Sequence, residues 1–170
     1  MVEMHLAAVR IEVATNTPMV LLREAGGARR TLPIMIAVPE ATAIELALRG
    51  VVPPRPLTHD LMKDVFEAVG LALERVVVTE LRETTFYAEL HMDQGGRKLV
   101  ISSRPSDAIA LAARMGVPIF ADEDLLDAES VEFEDDFSDD EAEDDDVNPD
   151  ELVEQFKEFI EEIRPEDFSS

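Results

Sequence analysis

"TTFYAELHMDQGGRKLVISS", residues 84–103, decides the fold class. Phe86, Ala88, Leu90 and Met92 alternate with Tyr87, Glu89 and His91, the period of a strand with one buried face. "DQGG" (93–96) brings the glycines a tight reversal needs, and "RKLVISS" returns as a second strand. Another hairpin is read in "MVLLREAGGARRTLPIMI" (19–36), turning at Gly26 and Gly27. Val9, Ile11 and Val13 alternate with Arg10 and Glu12, and "ERVVVTEL" (74–81) joins the same sheet. Three helical stretches interrupt the strands: "PEATAIELALRG" (39–50), "THDLMKDVFEAVG" (58–70) and "RPSDAIALAARMG" (104–116). They close on Gly50, Gly70 and Gly116, residues suited to a left-handed cap. They open with Glu40, Asp60 and Asp107, acids that the helix dipole favours in a first turn. In the second helix Leu61, Met62, Val65, Phe66 and Val69 are read as one face. Hairpins with inserted helices predict an α+β domain, a mixed and largely antiparallel sheet with three helices.

At 170 residues, 46% of them apolar, the chain can bury a real core. The absence of cysteine excludes disulfides and thiolate metal sites. Glu3, His5, Arg10 and Glu12 interrupt the N-terminal stretch, which therefore lacks a signal-peptide core. No apolar run reaches bilayer-spanning length, so a soluble, cytoplasmic protein is expected. The net charge of −23 is unevenly spread. Residues 1–121 hold 14 acids and 13 bases, whereas 122–170 hold 24 acids against Lys157 and Arg164. The expected organisation is a body over 1–128, an acidic linker over 129–147 too poor in apolar groups to fold alone, and an amphipathic helix over 148–164. Asn148, Pro149 and Glu151 give that helix its start, and Leu152, Val153, Phe156, Phe159, Ile160 and Ile163 its apolar stripe. Such a stripe needs a surface, on this chain or on a partner.

No GxGxxG, GxxxxGK[ST], GxSxG or HExxH motif is present, and His5, His59 and His91 are too dispersed to suggest zinc by spacing. His91, on a strand with Tyr87 and Glu89, is read as solvated. The chemistry concentrates in "PRPLTHDL" (54–61) and "SRPSDAI" (103–109). Read structurally, these are helix starts: Thr58 caps the second helix and Asp60 complements its dipole, while Pro105 takes the first position of the third and Asp107 satisfies free amides. Capping does not account for Arg55 and Arg104. A guanidinium beside a helix N-terminus suits phosphate. If the two helix starts meet, His59 beside Asp60 or Asp107 can act as general base or acid. A carboxylate pair there also suits Mg²⁺ or Mn²⁺.

"LPIMIAVPEATAIELAL" (32–48), "PRPLTHDL", "FYAELHM" (86–92) and "SRPSDAIALAARMGVPIF" (103–120) together resemble the bifunctional nuclease domain family of bacteria and plants. The resemblance runs from about residue 1 to about residue 127. It implies a mixed α+β domain, a wedge-shaped dimer with an active-site groove, and hydrolysis of both RNA and DNA. On matching positions it implies catalytic roles for Glu40, His59, Asp60 and Asp107, and substrate binding by Arg55, Arg104 and Ser106. Ser102 and Ser103 depart from the pattern, standing where an acid is expected, and a missing carboxylate weakens any metal site. The acidic extension and C-terminal helix lie outside the family domain.

A nuclease of low specificity is therefore expected, with one electrostatic difficulty. Nucleic-acid binding is driven largely by phosphate neutralisation, and this body has no basic excess. A patch formed by Arg10, Arg29, Arg30, Arg97 and Lys98 would supply one, while residues 134–146 could imitate a polyanion lying across the groove. The alternative is a non-catalytic dimeric regulator or scaffold that recruits a partner through its acidic tail and C-terminal helix. A third reading is a small phosphate-containing ligand bound without cleavage.

Overall fold

A computed structural model describes residues 1–26 and 30–132. The described residues end within the stretch expected to be the acidic linker, 129–147. The rest of that segment and the amphipathic stretch at 148–164 lie outside the described residues.

The α+β expectation holds. The strands are β1 (Val2–Glu12), β2 (Thr17–Glu24), β3 (Arg30–Met35), β4 (Ala72–Arg82), β5 (Thr85–Gln94), β6 (Arg97–Ser103), β7 (Ile119–Ala121) and β8 (Val131–Glu132). The helices are α1 (Val38–Leu48), α2 (Thr58–Ala68), α3 (Pro105–Met115) and α4 (Glu123–Glu129). The strands form one sheet in the order β6-β5-β4-β7-β1-β2-β3-β8. Two antiparallel meanders, β1-β2-β3 and β4-β5-β6, are stitched together by β7. That strand runs antiparallel to β1 and parallel to β4, as in Val2↔Ala121 and Val76↔Ile119. A parallel neighbour needs a crossover, and α3 lies on the path from β6 to β7.

The β5–β6 turn forms as expected. Gln94 pairs with Arg97, leaving Gly95 and Gly96 as a two-residue loop with φ of 61° and 92°. Positive φ at both positions is the type I′ requirement, which glycine meets without strain.

The core lies between the helices and one face of the sheet. Val20, Leu22, Leu32, Ile34, Val76, Val78, Ala88, Leu90 and Met92 meet Ile44 of α1 and Ile109 and Leu111 of α3. The central helix is α3, which packs against α1, α2, β4 and β5. Its buried Ala108, Ala110 and Ala112 keep it thin enough for two helices and a sheet to close around it. Gly116, φ 66°, ends it in the left-handed conformation.

Three local expectations need correction. Thr58 is the first residue of α2, and its N-cap is Leu57, whose amide donates to Asp60 Oδ2 at 3.0 Å. In α2 only Met62 and Phe66 lean on the core, while Leu61, Val65 and Val69 are exposed. The five share one arc of about 140°, but the body covers only its Met62–Phe66 side. His91 is half-buried and bonded, its Nδ1 3.2 Å from Arg75 Nη2 and its Nε2 3.0 Å from Glu89 Oε2. Helix α4 was not anticipated. It starts where Asp122 accepts from the Asp124 amide, and it buries Leu125 and Leu126.

Candidate active site at three helix N-termini

The first turns of α1, α2 and α3 meet through side-chain contacts. Glu40, Asp60 and Asp107 are each the third residue of their helix. Asp107 is the hub. Its Oδ1 lies 3.0 Å from His59 Nε2 and 3.0 Å from Arg104 Nη2, and its Oδ2 accepts from Arg104 Nε at 2.7 Å. Arg104 reaches on to Glu40 Oε1 at 2.9 Å. Four of the residues singled out from sequence thus form one contiguous cluster.

Electrostatics fix the protonation pattern. Burial pushes the Asp107 carboxyl up, but hydrogen bonds from Arg104 and His59 outweigh it and leave the group below its ordinary value. An ionised carboxylate only accepts, so His59 Nε2 must be the donor. The lone pair of neutral His59 then sits on Nδ1, which has no partner among the described residues. The Arg104 guanidinium is held above its usual range, chiefly by Asp107 and then by Glu40.

Asp60 belongs to a second network. Its Oδ1 accepts from Arg114 Nε at 2.6 Å, and Arg114 Nη1 also donates to the Ala110 carbonyl. Burial pushes the Asp60 carboxyl up, while Arg114 and the Leu57 amide together bring it below its usual range. With both oxygens occupied, Asp60 fastens α2 to α3 rather than facing the His59 imidazole. Arg114 was missed by sequence reading. A lone arginine in a last helical turn looks like a solvated dipole partner, and nothing local marks this one as 7% exposed.

The remaining expected residues stay outside the cluster. Arg55 is exposed in the α1–α2 loop and has no hydrogen bond or ion pair among the described residues. Ser106 is buried at the second position of α3. Clefts of about 330 Å³, beside the C-terminal ends of α1 and α3, and about 540 Å³, near Arg75 and Lys98, contain none of the cluster residues. Within the cluster Arg104 is exposed, whereas His59 is buried and Glu40 and Asp107 are largely covered.

Comparison with known proteins now decides the family. The family model described as the bifunctional nuclease domain matches residues 20–134. The chain belongs to the bifunctional nuclease domain family. An uncharacterized protein of Mycobacterium tuberculosis is 46% identical over 168 residues, covering 99% of this chain and 98% of its own length. Bifunctional nuclease 1 of Oryza sativa subsp. japonica is 30% identical over 103 residues, and bifunctional nuclease 2 of Arabidopsis thaliana likewise. Each plant match covers 59% of this chain but only 31% of the plant protein.

For a nuclease-family chain, two further expectations can be tested against the geometry. The expected carboxylate pair exists as Glu40 and Asp107, but Arg104 stands between them. No three or more His, Cys, Asp or Glu side chains among the described residues are grouped to hold a metal ion. As they stand, these residues do not fit Mg²⁺ or Mn²⁺. Among the described residues the expected basic patch does not assemble either. Arg30 is spent on Glu24, Glu123 and Asp127, and Lys98 on Glu74 and Asp93. Strand β6, with Arg97 and Lys98, is an edge of the sheet far in strand order from β3, which carries Arg30. Arg29 lies outside the described residues. No helix among the described residues is long and apolar enough to cross a membrane.

Proposed function

We propose that this chain hydrolyses phosphodiester bonds in RNA and DNA at the His59–Asp107–Arg104 cluster. The observation that carries this reading is the orientation of His59, with Nε2 held by an ionised Asp107 and Nδ1 left without a partner among the described residues. A general base needs this arrangement: one nitrogen fixed, the other offered to a proton. A nuclease acting on both polymers cannot depend on the ribose 2′-hydroxyl, so the nucleophile is water. Nδ1 takes the water's proton as oxygen attacks phosphorus, and Asp107 stabilises the imidazolium that results. The imidazolium can return the proton to the departing oxygen. Arg104 neutralises charge on the non-bridging phosphate oxygens. Glu40 and Asp60 support the site without touching the reacting atoms. Arg55, exposed and without a partner among the described residues, extends along the substrate backbone.

Helix α2 favours a homodimer. Leu57, Leu61, Val65 and Val69 recur at four-residue spacing and are all exposed. Asp60, Lys63, Asp64 and Glu67 fall off that stripe, leaving an uncharged arc beside the site. Self-pairing about a two-fold axis covers such an arc.

The test is cleavage of single- and double-stranded RNA and DNA, with and without EDTA, by wild type, Asp107→Asn and Arg104→Ala. Each variant is expected to lose about 10²-fold or more in rate on every substrate. Equal cleavage by all three would assign the activity to a contaminant. Binding without cleavage would favour the regulatory reading.

A further inference from the structure

Arg104 carries two hydrogen-bonding edges, and the structure uses them differently. The edge formed by Nε and Nη2 is filled by Asp107, at 2.7 and 3.0 Å. The end-on edge is formed by Nη1 and the second N–H of Nη2. Nη1 has no partner among the described residues, but that second Nη2 N–H is given to Glu40 Oε1 at 2.9 Å. Bidentate recognition of a phosphate requires both N–H groups of one edge.

Glu40 is poorly served in return. Its side chain is 15% exposed and its Oε2 is buried with no partner among the described residues, whereas Arg104 is 64% exposed. The carboxylate therefore depends on a guanidinium that can leave it cheaply. If Arg104 gives the end-on edge to a phosphate, Glu40 loses that hydrogen bond, a cost that opposes binding.

We infer that Glu40 is an anionic gate, occupying the end-on edge of Arg104 that a phosphate group must take. This rests on the phosphate role proposed above for Arg104. It gives Glu40 a regulatory place in the site rather than the catalytic one implied by resemblance. It also accounts for the geometry, because Asp107 can keep its edge of Arg104, and its hold on His59, while phosphate enters at the other.

The test is titration of the full chain with inorganic phosphate, followed by calorimetry and arginine side-chain NMR, in wild type, Glu40→Gln, Glu45→Gln and Arg104→Met. Glu45→Gln removes a charge from the same helix without touching Arg104. Glu40→Gln is expected to bind phosphate roughly fivefold more tightly than wild type, a charge-assisted bond having become a neutral one. Glu45→Gln should match wild type, and Arg104→Met should lose binding. Independently of any variant's folding, saturating wild type with phosphate should shift the Glu40 carboxyl carbon resonance. Phosphate affinity in Glu40→Gln no higher than wild type, or equal tightening in Glu45→Gln, overturns the gate. So does an unmoved Glu40 resonance. Undiminished binding in Arg104→Met overturns the gate and the phosphate role of Arg104 together.

Discussion

Asp107 and Asp60 are the residues whose ionisation the structure controls most directly. Both carboxyls lie below their ordinary values once burial is outweighed by Arg104 and His59 at one and by Arg114 and Leu57 at the other. A depressed carboxyl contributes stability above its unfolded value, about pH 4, and loses it as pH falls through the lower folded value. Denaturant midpoints should therefore hold from neutrality to about pH 4 and drop below it. Asp60→Asn should show a shallower acid drop. An identical profile would mean that the Arg114 contact does not bias the carboxylate. Residues of this kind were partly legible in sequence. Asp60 and Asp107 were visible as first-turn acids, because the helix dipole makes that preference local. Which cation each one meets depends on tertiary contact, so Arg114 could not be found from spacing.

The packing of α2 against α3 shows where element-level reading succeeds and where it stops. Helix starts and glycine ends were legible because capping is decided within a few residues, and Gly50, Gly70 and Gly116 all adopt positive φ. The inward face of α2 was not legible, since periodicity marks an apolar arc without saying how much of it the body covers. The body covers the Met62–Phe66 side. With so little burial, α2 relies on polar fasteners. Arg114→Met should destabilise the fold by about 2–3 kcal/mol, below the range for fully buried pairs because Asp60 retains some solvent. Chemical denaturation measures this, and a loss under about 0.5 kcal/mol would deny the clamp its role. Ile109→Ala at a fully buried position of α3 should cost about 2–5 kcal/mol by leaving a cavity.

Over the whole molecule, the surprise is how little free positive charge the body offers a polyanion. Composition showed the near-neutral body, but only the sheet order shows that Arg97 and Lys98 stand far from Arg30 and that carboxylates occupy Arg30 and Lys98. Binding that rests on one or two phosphate contacts should weaken gently with salt, with a log–log slope near −1 to −2 rather than the steep dependence of many-contact binders. A slope of −5 or steeper would reveal a basic surface that the described residues do not form. If the exposed arc of α2 pairs two copies, Val65→Asp should halve the mass seen by sedimentation, and an unchanged mass would remove α2 from the interface. The central claim is that His59, held by Asp107, takes the proton from the attacking water. Single-turnover cleavage of a fluorogenic single-stranded RNA by wild type and His59→Ala, at matched folded fractions, tests it most directly. The account predicts a loss of about 10²- to 10⁴-fold in the variant, and equal rates in the two proteins would contradict it.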